Sequence, residues 1–325
     1  MKVLIVGGTS FVGRAIAFAA LDSDHDVTVI NRGQTESDLP ESVTRLVGDR
    51  QSDLSALDGL NFDVTVDAIA YRPHDVEVLH TALGERGGHH IQISSISAYE
   101  DPKTTGATEE TATLWSDAPT EPDAAITAET YGPLKAACEK AAVEFFGDQL
   151  TIVRPTYVIG SHDATMRFPY WVQRIARGGN IAVAGPRDNA LQFIDARDLG
   201  AFVVKLANDT TLGAFHVAGP FPAPTFYGVM EQIAEQIAPS DTKLVEVSPR
   251  HVSSHHLDSR FPLWSGSQNE TVMDIDPAKA IGAGLTLRNL SESVEDVQAW
   301  WDDRDWPSWW LTREQEAMLV RTNTR

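Results

Sequence analysis

The chain has 325 residues, 42% of them hydrophobic and 22% charged, a balance that suits a soluble globular protein with a large core. Its net charge of −20 and pI near 4.8 make nucleic acid and anionic membrane surfaces poor partners. The single Cys138 excludes an internal disulfide and a cysteine-rich metal site, and no apolar run reaches the ~18 residues of a membrane span, so a reducing cytoplasm is the expected setting.

The first half alternates strand and helix signals. Residues 3–6 (VLIV) read as a parallel strand covered on both faces. A glycine loop follows, then an alanine-rich helix over 11–21. Strands are expected at 27–30, 43–47, 64–67, 90–94 and 150–153, with helices at 76–83 and 136–146. Strands separated by helices imply right-handed crossovers and a doubly wound, Rossmann-type α/β sheet. Beyond Pro155 the rhythm changes: residues 156–190 read as loop around one helix, 170–176. A strand-helix pair over 192–206 is expected to return to the sheet, and 215–217 to add a strand. The expected division is a dinucleotide-binding domain over 1–160, rejoined by 190–217, and mainly a smaller substrate-binding cap over 161–325.

The loop VGGTSFVGR places Gly7 after the strand and Gly13 one turn into the helix, where a dinucleotide's pyrophosphate meets helix N–H groups. Ser10 stands where a middle glycine is usual; it can still offer a hydroxyl or N–H if its dihedrals are ordinary. The candidate cofactor residues here are Gly7, Thr9, Ser10, Phe11, Val12 and Gly13. At the end of the second strand Asn31-Arg32 replaces the acid that would hold a ribose 2′-hydroxyl. Arg32, with Arg14, can instead meet a 2′-phosphate, favouring NADP over NAD; the alternative is two solvated surface arginines. Asp49 is a candidate partner for the adenine amino group, or an ordinary loop acid.

The stretch TYGPLKAACEK carries the clearest chemistry. Tyr131 and Lys135 lie four apart and share a helix face, with Pro133 expected in the first turn. A phenol of pKa ~10 is a poor base, but a neighbouring ammonium favours its phenolate. Tyr131 can then shuttle a proton while hydride moves to or from a nicotinamide, and Lys135 can hold the nicotinamide ribose. Ser94, Ser95 and Ser97 after the fifth strand offer a hydroxyl for the reacting oxygen; at least two of them need only mark a turn.

Together, GGTSFVG, ISSISAY, YGPLK, IVRPTYVIG and FIDARDL resemble the extended short-chain dehydrogenase/reductases, the NAD-dependent epimerase/dehydratase group, over about residues 1–205. The resemblance implies an NADP- or NAD-dependent oxidoreductase or epimerase acting on a small, sugar-like substrate. It assigns Ser95 as the active hydroxyl, Tyr131 as acid/base and Lys135 as its partner, with Ala70 and Pro155 beside the cofactor. It makes Asp195 and Asp198 architectural. Ser10 and the NRG segment match an atypical branch of this group, one that resembles chloroplast stem-loop-binding relatives. Leu191 stands where many sugar-nucleotide enzymes carry a diphosphate-binding Arg, with Arg187 nearby as a substitute, and Ile96-Ser97 replaces the Asp-Glu pair of the 4,6-dehydratases. A non-catalytic dinucleotide sensor or RNA-binding relative is the alternative; the Ser-Tyr-Lys set and the charge of −20 argue against it.

In the C-terminal part, His251, His255, His256 and Asp258 sit in a Ser-rich stretch read as a polar loop, so no metal is expected. Trp264, Trp300, Trp301, Trp306, Trp309 and Trp310 read as a terminal segment packed on the body or a homodimer contact, with an aromatic substrate platform as the sharper alternative. Tyr170 and Trp171 are expected to face substrate.

Overall fold

The computed structural model describes residues 1–100, 105–121, 123–266, 274–301 and 304–322. Seven parallel strands form the main sheet: β1 (Lys2–Val6), β2 (Asp26–Asn31), β3 (Thr44–Val47), β4 (Val64–Asp67), β5 (His89–Ile93), β6 (Leu150–Pro155) and β10 (Gly213–Val217). Their spatial order is β3-β2-β1-β4-β5-β6-β10. The order reverses between β1 and β4, whose Val6 and Asp67 are in register. The crevice beyond those strand ends is the ligand site of such sheets.

One face of the sheet is covered by α1 (Phe11–Asp22) and α5 (Ala196–Asn208), which share a core with β1, β2, β4 and β5. Small residues let these two helices meet closely: a Cβ on Gly200 would lie 2.7 Å from the Ala15 carbonyl oxygen. The other face carries α2 (Pro73–Leu83) and α3 (Ala128–Phe146).

The rest builds a second core from α4 (Arg167–Ala176), α6 (Phe226–Ile237), α7 (Pro249–Ser254), α9 (Leu290–Trp301) and α10 (Arg313–Thr322), with short α8 (Ala278–Gly282) packed instead near β10. Two parallel strand pairs join it: β8 (Asn180–Ala184) with β11 (Lys243–Val247), and β7 (Tyr157–Ile159) with β9 (Phe193–Asp195).

Several expectations need correcting. The segment 156–190 is not mostly loop, since β7, α4 and β8 all lie within it. Of the pair at 192–206 only the helix returns to the main sheet; β9 pairs with β7, a strand too short to signal itself by pattern. Tyr170 and Trp171 do not face substrate. Both are buried in the second core, their rings 5.1 Å apart, with Trp171 Nε1 donating to the Pro262 carbonyl at 2.7 Å. Pro133 is not in a first turn either. A capping box between Thr127 and Thr130 starts α3 at Ala128, which leaves Pro133 inside the helix. There it gives up one backbone hydrogen bond, and the length and buried face of the 19-residue helix carry the element.

Candidate active site

The glycine loop leaves β1 in a turn that only small residues permit. Gly7 has φ +87°, and a Cβ there would press on Ile69; a Cβ on Gly13 would overlap the Gly7 carbonyl oxygen. Ser10 sits at φ −137° and ψ 144°, ordinary extended backbone, so serine costs the turn nothing. Its side chain is exposed and makes no capping bond. The strain falls on Phe11 instead, at φ +36°. Thr9 is half-buried, while Phe11 and Val12 pack against the first core. A cradle this tight, open to helix N–H groups, fits the pyrophosphate of a dinucleotide.

On the adenosine side, Asn31 Oδ1 accepts from Gly33 N at 2.7 Å and so shapes the turn leaving β2. Arg32 is exposed and has no ion-pair partner among the described residues. Arg14 differs. Its guanidinium lies 4.4 Å from the Phe18 ring centroid and donates two hydrogen bonds to Asp38, at 2.7 and 2.5 Å. Asp49 accepts from Gln51 N at 3.0 Å and forms a short bridge with Asp53, leaving its other carboxylate oxygen open.

On the nicotinamide side, Lys135 is 3% exposed and enters between the ends of β4 and β5. Its Nζ donates to the carbonyls of Ala70 (2.9 Å) and Ile93 (3.0 Å). The same ammonium lies 5.9 Å from the Tyr131 ring centroid and 4.8 Å from that of Tyr71. The two phenol rings are 6.5 Å apart. No motif in the sequence singles out Tyr71. It follows β4 in a loop that Asp75 pins by accepting from Tyr71 N and Arg72 N, at 2.9 and 3.0 Å. An aromatic residue just past a strand end is its only signal.

The three serines separate by contact. Ser94 donates to Glu139 Oε1 at 2.5 Å. Glu139 forms a buried bidentate pair with Arg154, Arg154 donates to Tyr99 Oη at 2.7 Å, and Tyr99 Oη meets His216 Nε2 at 2.5 Å. His216 Nδ1 donates to the Asp276 carbonyl at 3.1 Å, so Nε2 is free to accept from the phenol. Burial holds His216 below the usual histidine pKa and Tyr99 above the usual phenol value. This chain of bonds is closed and structural. Ser95 instead accepts from Ser97 N at 3.1 Å, which leaves its own O–H to donate; Ser97 is exposed. Gly132 presses α3 against this turn, since a Cβ there would overlap the Ser97 carbonyl oxygen. The fold thus gathers Ser95, Tyr131, Lys135 and Ala70 at one end of the sheet. Pro155, in register with Val217, ends β6 beside them. No direct hydrogen bond links Ser95 to Tyr131 among the described residues. A separate cavity of about 780 Å³ lies on the outer flank of α3, lined by Arg72, Trp115, Glu139 and Lys140, and none of the candidate cofactor residues line it.

Asp195 and Asp198 hold the two cores together. Asp195 caps α5 and accepts from Ser293 at 2.5 Å; Asp198 accepts from Arg288 at 2.7 Å. Arg187 is engaged by Glu246 at 3.0 Å and stacks on Tyr227, so it is not held toward a diphosphate. The His251 stretch is not the polar loop expected: Ser248 caps the short helix α7, and His251 Nε2 meets Thr322 Oγ1 at 2.7 Å. Among the described residues no three His, Cys, Asp or Glu side chains gather as metal ligands. Trp309 and Trp310 both donate to the Thr165 carbonyl, at 3.2 and 2.9 Å, and Trp306 lies 5.0 Å from Tyr170. Among the described residues no helix is long and apolar enough to cross a membrane.

A glycine cradle after β1 and a Tyr-x-x-x-Lys helix behind β5 thus lie on one doubly wound sheet. The model of the NAD dependent epimerase/dehydratase family matches residues 74–218 of the chain. No curated protein sequence matches it. The fold is similar to UDP-N-acetylglucosamine 4-epimerase from Bacillus cereus, with TM-score 0.66, 18% identity, and 96% of this chain and 100% of that one covered. It is also similar to WbmH of Bordetella bronchiseptica, solved with NAD+ (TM-score 0.67, 16% identity, 93% and 98% covered). A third similar fold is the human epimerase family protein SDR39U1, solved with NADPH (TM-score 0.64, 16% identity, 92% and 99% covered).

Proposed function

We propose that the chain binds NAD(P) and acts as an oxidoreductase or epimerase at a hydroxyl or carbonyl carbon of a small, sugar-like substrate. Lys135 carries this reading. An ammonium has three donors, and two are spent on Ala70 and Ile93. Among the described residues no carboxylate pairs with it, although it is buried, so one N–H and its charge remain for a ligand beside Tyr131.

A bound nicotinamide supplies the acceptor or donor of hydride. The chain's own residues do the rest. Tyr131 Oη takes the proton from the substrate hydroxyl or returns it, Ser95 Oγ–H donates to the substrate oxygen, and Lys135 holds the ribose. Ser10, helix N–H groups and the space kept by Gly7 and Gly13 receive the pyrophosphate. Arg32, at the end of β2 and without a carboxylate partner among the described residues, supports NADP over NAD. Neighbours solved with NAD+ and with NADPH are consistent with either cofactor on this fold.

The test is ligand-dependent melting. NADP+ at saturating concentration is expected to raise Tm, more than NAD+ does. If neither dinucleotide moves Tm, the reading fails.

A further inference from the structure

Arg14 and Asp38 form a contact that the expected role of Arg14 does not use. The guanidinium donates from Nε and Nη2 to both carboxylate oxygens, at 2.7 and 2.5 Å. Those bonds hold the Asp38 carboxyl below the usual carboxylate pKa, so the pair is charged at neutral pH. The pair ties the first turn of α1 to the segment that leaves β2. In a dinucleotide-binding sheet these two elements flank the adenosine ribose. A third group completes the corner: His162 Nε2, from the loop after β7, lies 3.8 Å from Asp38 Oδ2, with its ring 5.2 Å from Trp300. Burial and the nearby Arg14 keep His162 below the usual histidine pKa, so at neutral pH it does not draw Asp38 away from Arg14.

We propose that Asp38 is a specificity-determining residue: by occupying Arg14 it withholds one of two cations from a 2′-phosphate and so limits the preference for NADP over NAD. The inference rests on the dinucleotide reading above. Arg32 stays free and attracts the phosphate, while Arg14 contributes only when the phosphate displaces Asp38. Asp38 is 52% exposed and Arg14 20%, so that exchange is open to a ligand, and its cost is that of a partly screened ion pair. NAD, which lacks the phosphate, binds without disturbing the pair.

Dissociation constants for NAD+ and NADP+, measured by calorimetry, test this on the wild type, Asp38→Asn, Arg14→Gln and the double variant. Asp38→Asn is expected to tighten NADP+ about threefold to tenfold while NAD+ moves less than about twofold. In the Arg14→Gln background the same change is expected to yield no gain. Equal shifts for both dinucleotides, an unchanged NADP+ constant, or a gain that persists without Arg14 would each overturn the assignment while leaving the dinucleotide reading intact. A wild type that binds neither dinucleotide overturns both.

Discussion

Helix α3 presents two buried charges four residues apart, and their surroundings differ. Glu139 has every partner it needs: Ser94, and Arg154 in two places. Lys135 has two carbonyls and two aromatic rings but, among the described residues, no carboxylate. A buried charge is costly unless paired, so a fully paired one is read as framework and an unneutralised one as a site held ready. One helix therefore serves both purposes, its first turns facing the crevice and its middle anchoring β5 to β6.

The largest expected effect tests the crevice end. Tyr131→Phe is expected to lower turnover by about 10²- to 10⁴-fold on any substrate found, with Tm unchanged; loss of folding instead would move Tyr131 into the framework. At the paired end the signature reverses. Glu139→Ala strands Arg154 and is expected to destabilise the fold by about 3–5 kcal/mol in denaturant unfolding. An effect below about 1 kcal/mol would mean that this pair is not what anchors the strands.

Farther along, Phe146 stacks on His90, with centroids 3.7 Å apart. Full burial lowers His90 from 6.5 to about 4. The unfolded chain then binds the extra proton between those values, so stability is complete above pH 6.5 and falls as pH drops toward 4. His90→Gln is expected to flatten that fall, which is worth roughly 3.4 kcal/mol at most; an equally steep fall in the variant would put its source elsewhere. The smallest effect belongs to the loop. Ser10 needs no glycine dihedrals, so Ser10→Gly is expected to change cofactor affinity by less than about tenfold, ~1.4 kcal/mol. A larger loss by titration would give its hydroxyl a specific contact.

The sheet is legible because its strands are apolar runs spaced by helices, and that strand-and-helix context is what makes the spacings of Gly7 and Gly13 and of Tyr131 and Lys135 stand out as candidates. What stayed hidden depends on contacts between distant segments. Nothing in a sequence places Asp38 against Arg14, Tyr71 over Lys135, or Glu139 under Ser94. The second lobe is the least legible. Its strands are three to five residues long, and Tyr170 and Trp171 look alike whether they line a pocket or fill a core.

The close crossing of α1 and α5 at Gly200 bears on how the chain is made. The covering layer for Ile16, Ala17 and Ala20 lies far downstream, on a helix that begins only at Ala196. During synthesis the glycine loop and the strands around it leave the ribosome with that apolar face bare. The first half must wait in a partly finished state, exposed to wrong partners, until Ala196–Asn208 emerges and closes it.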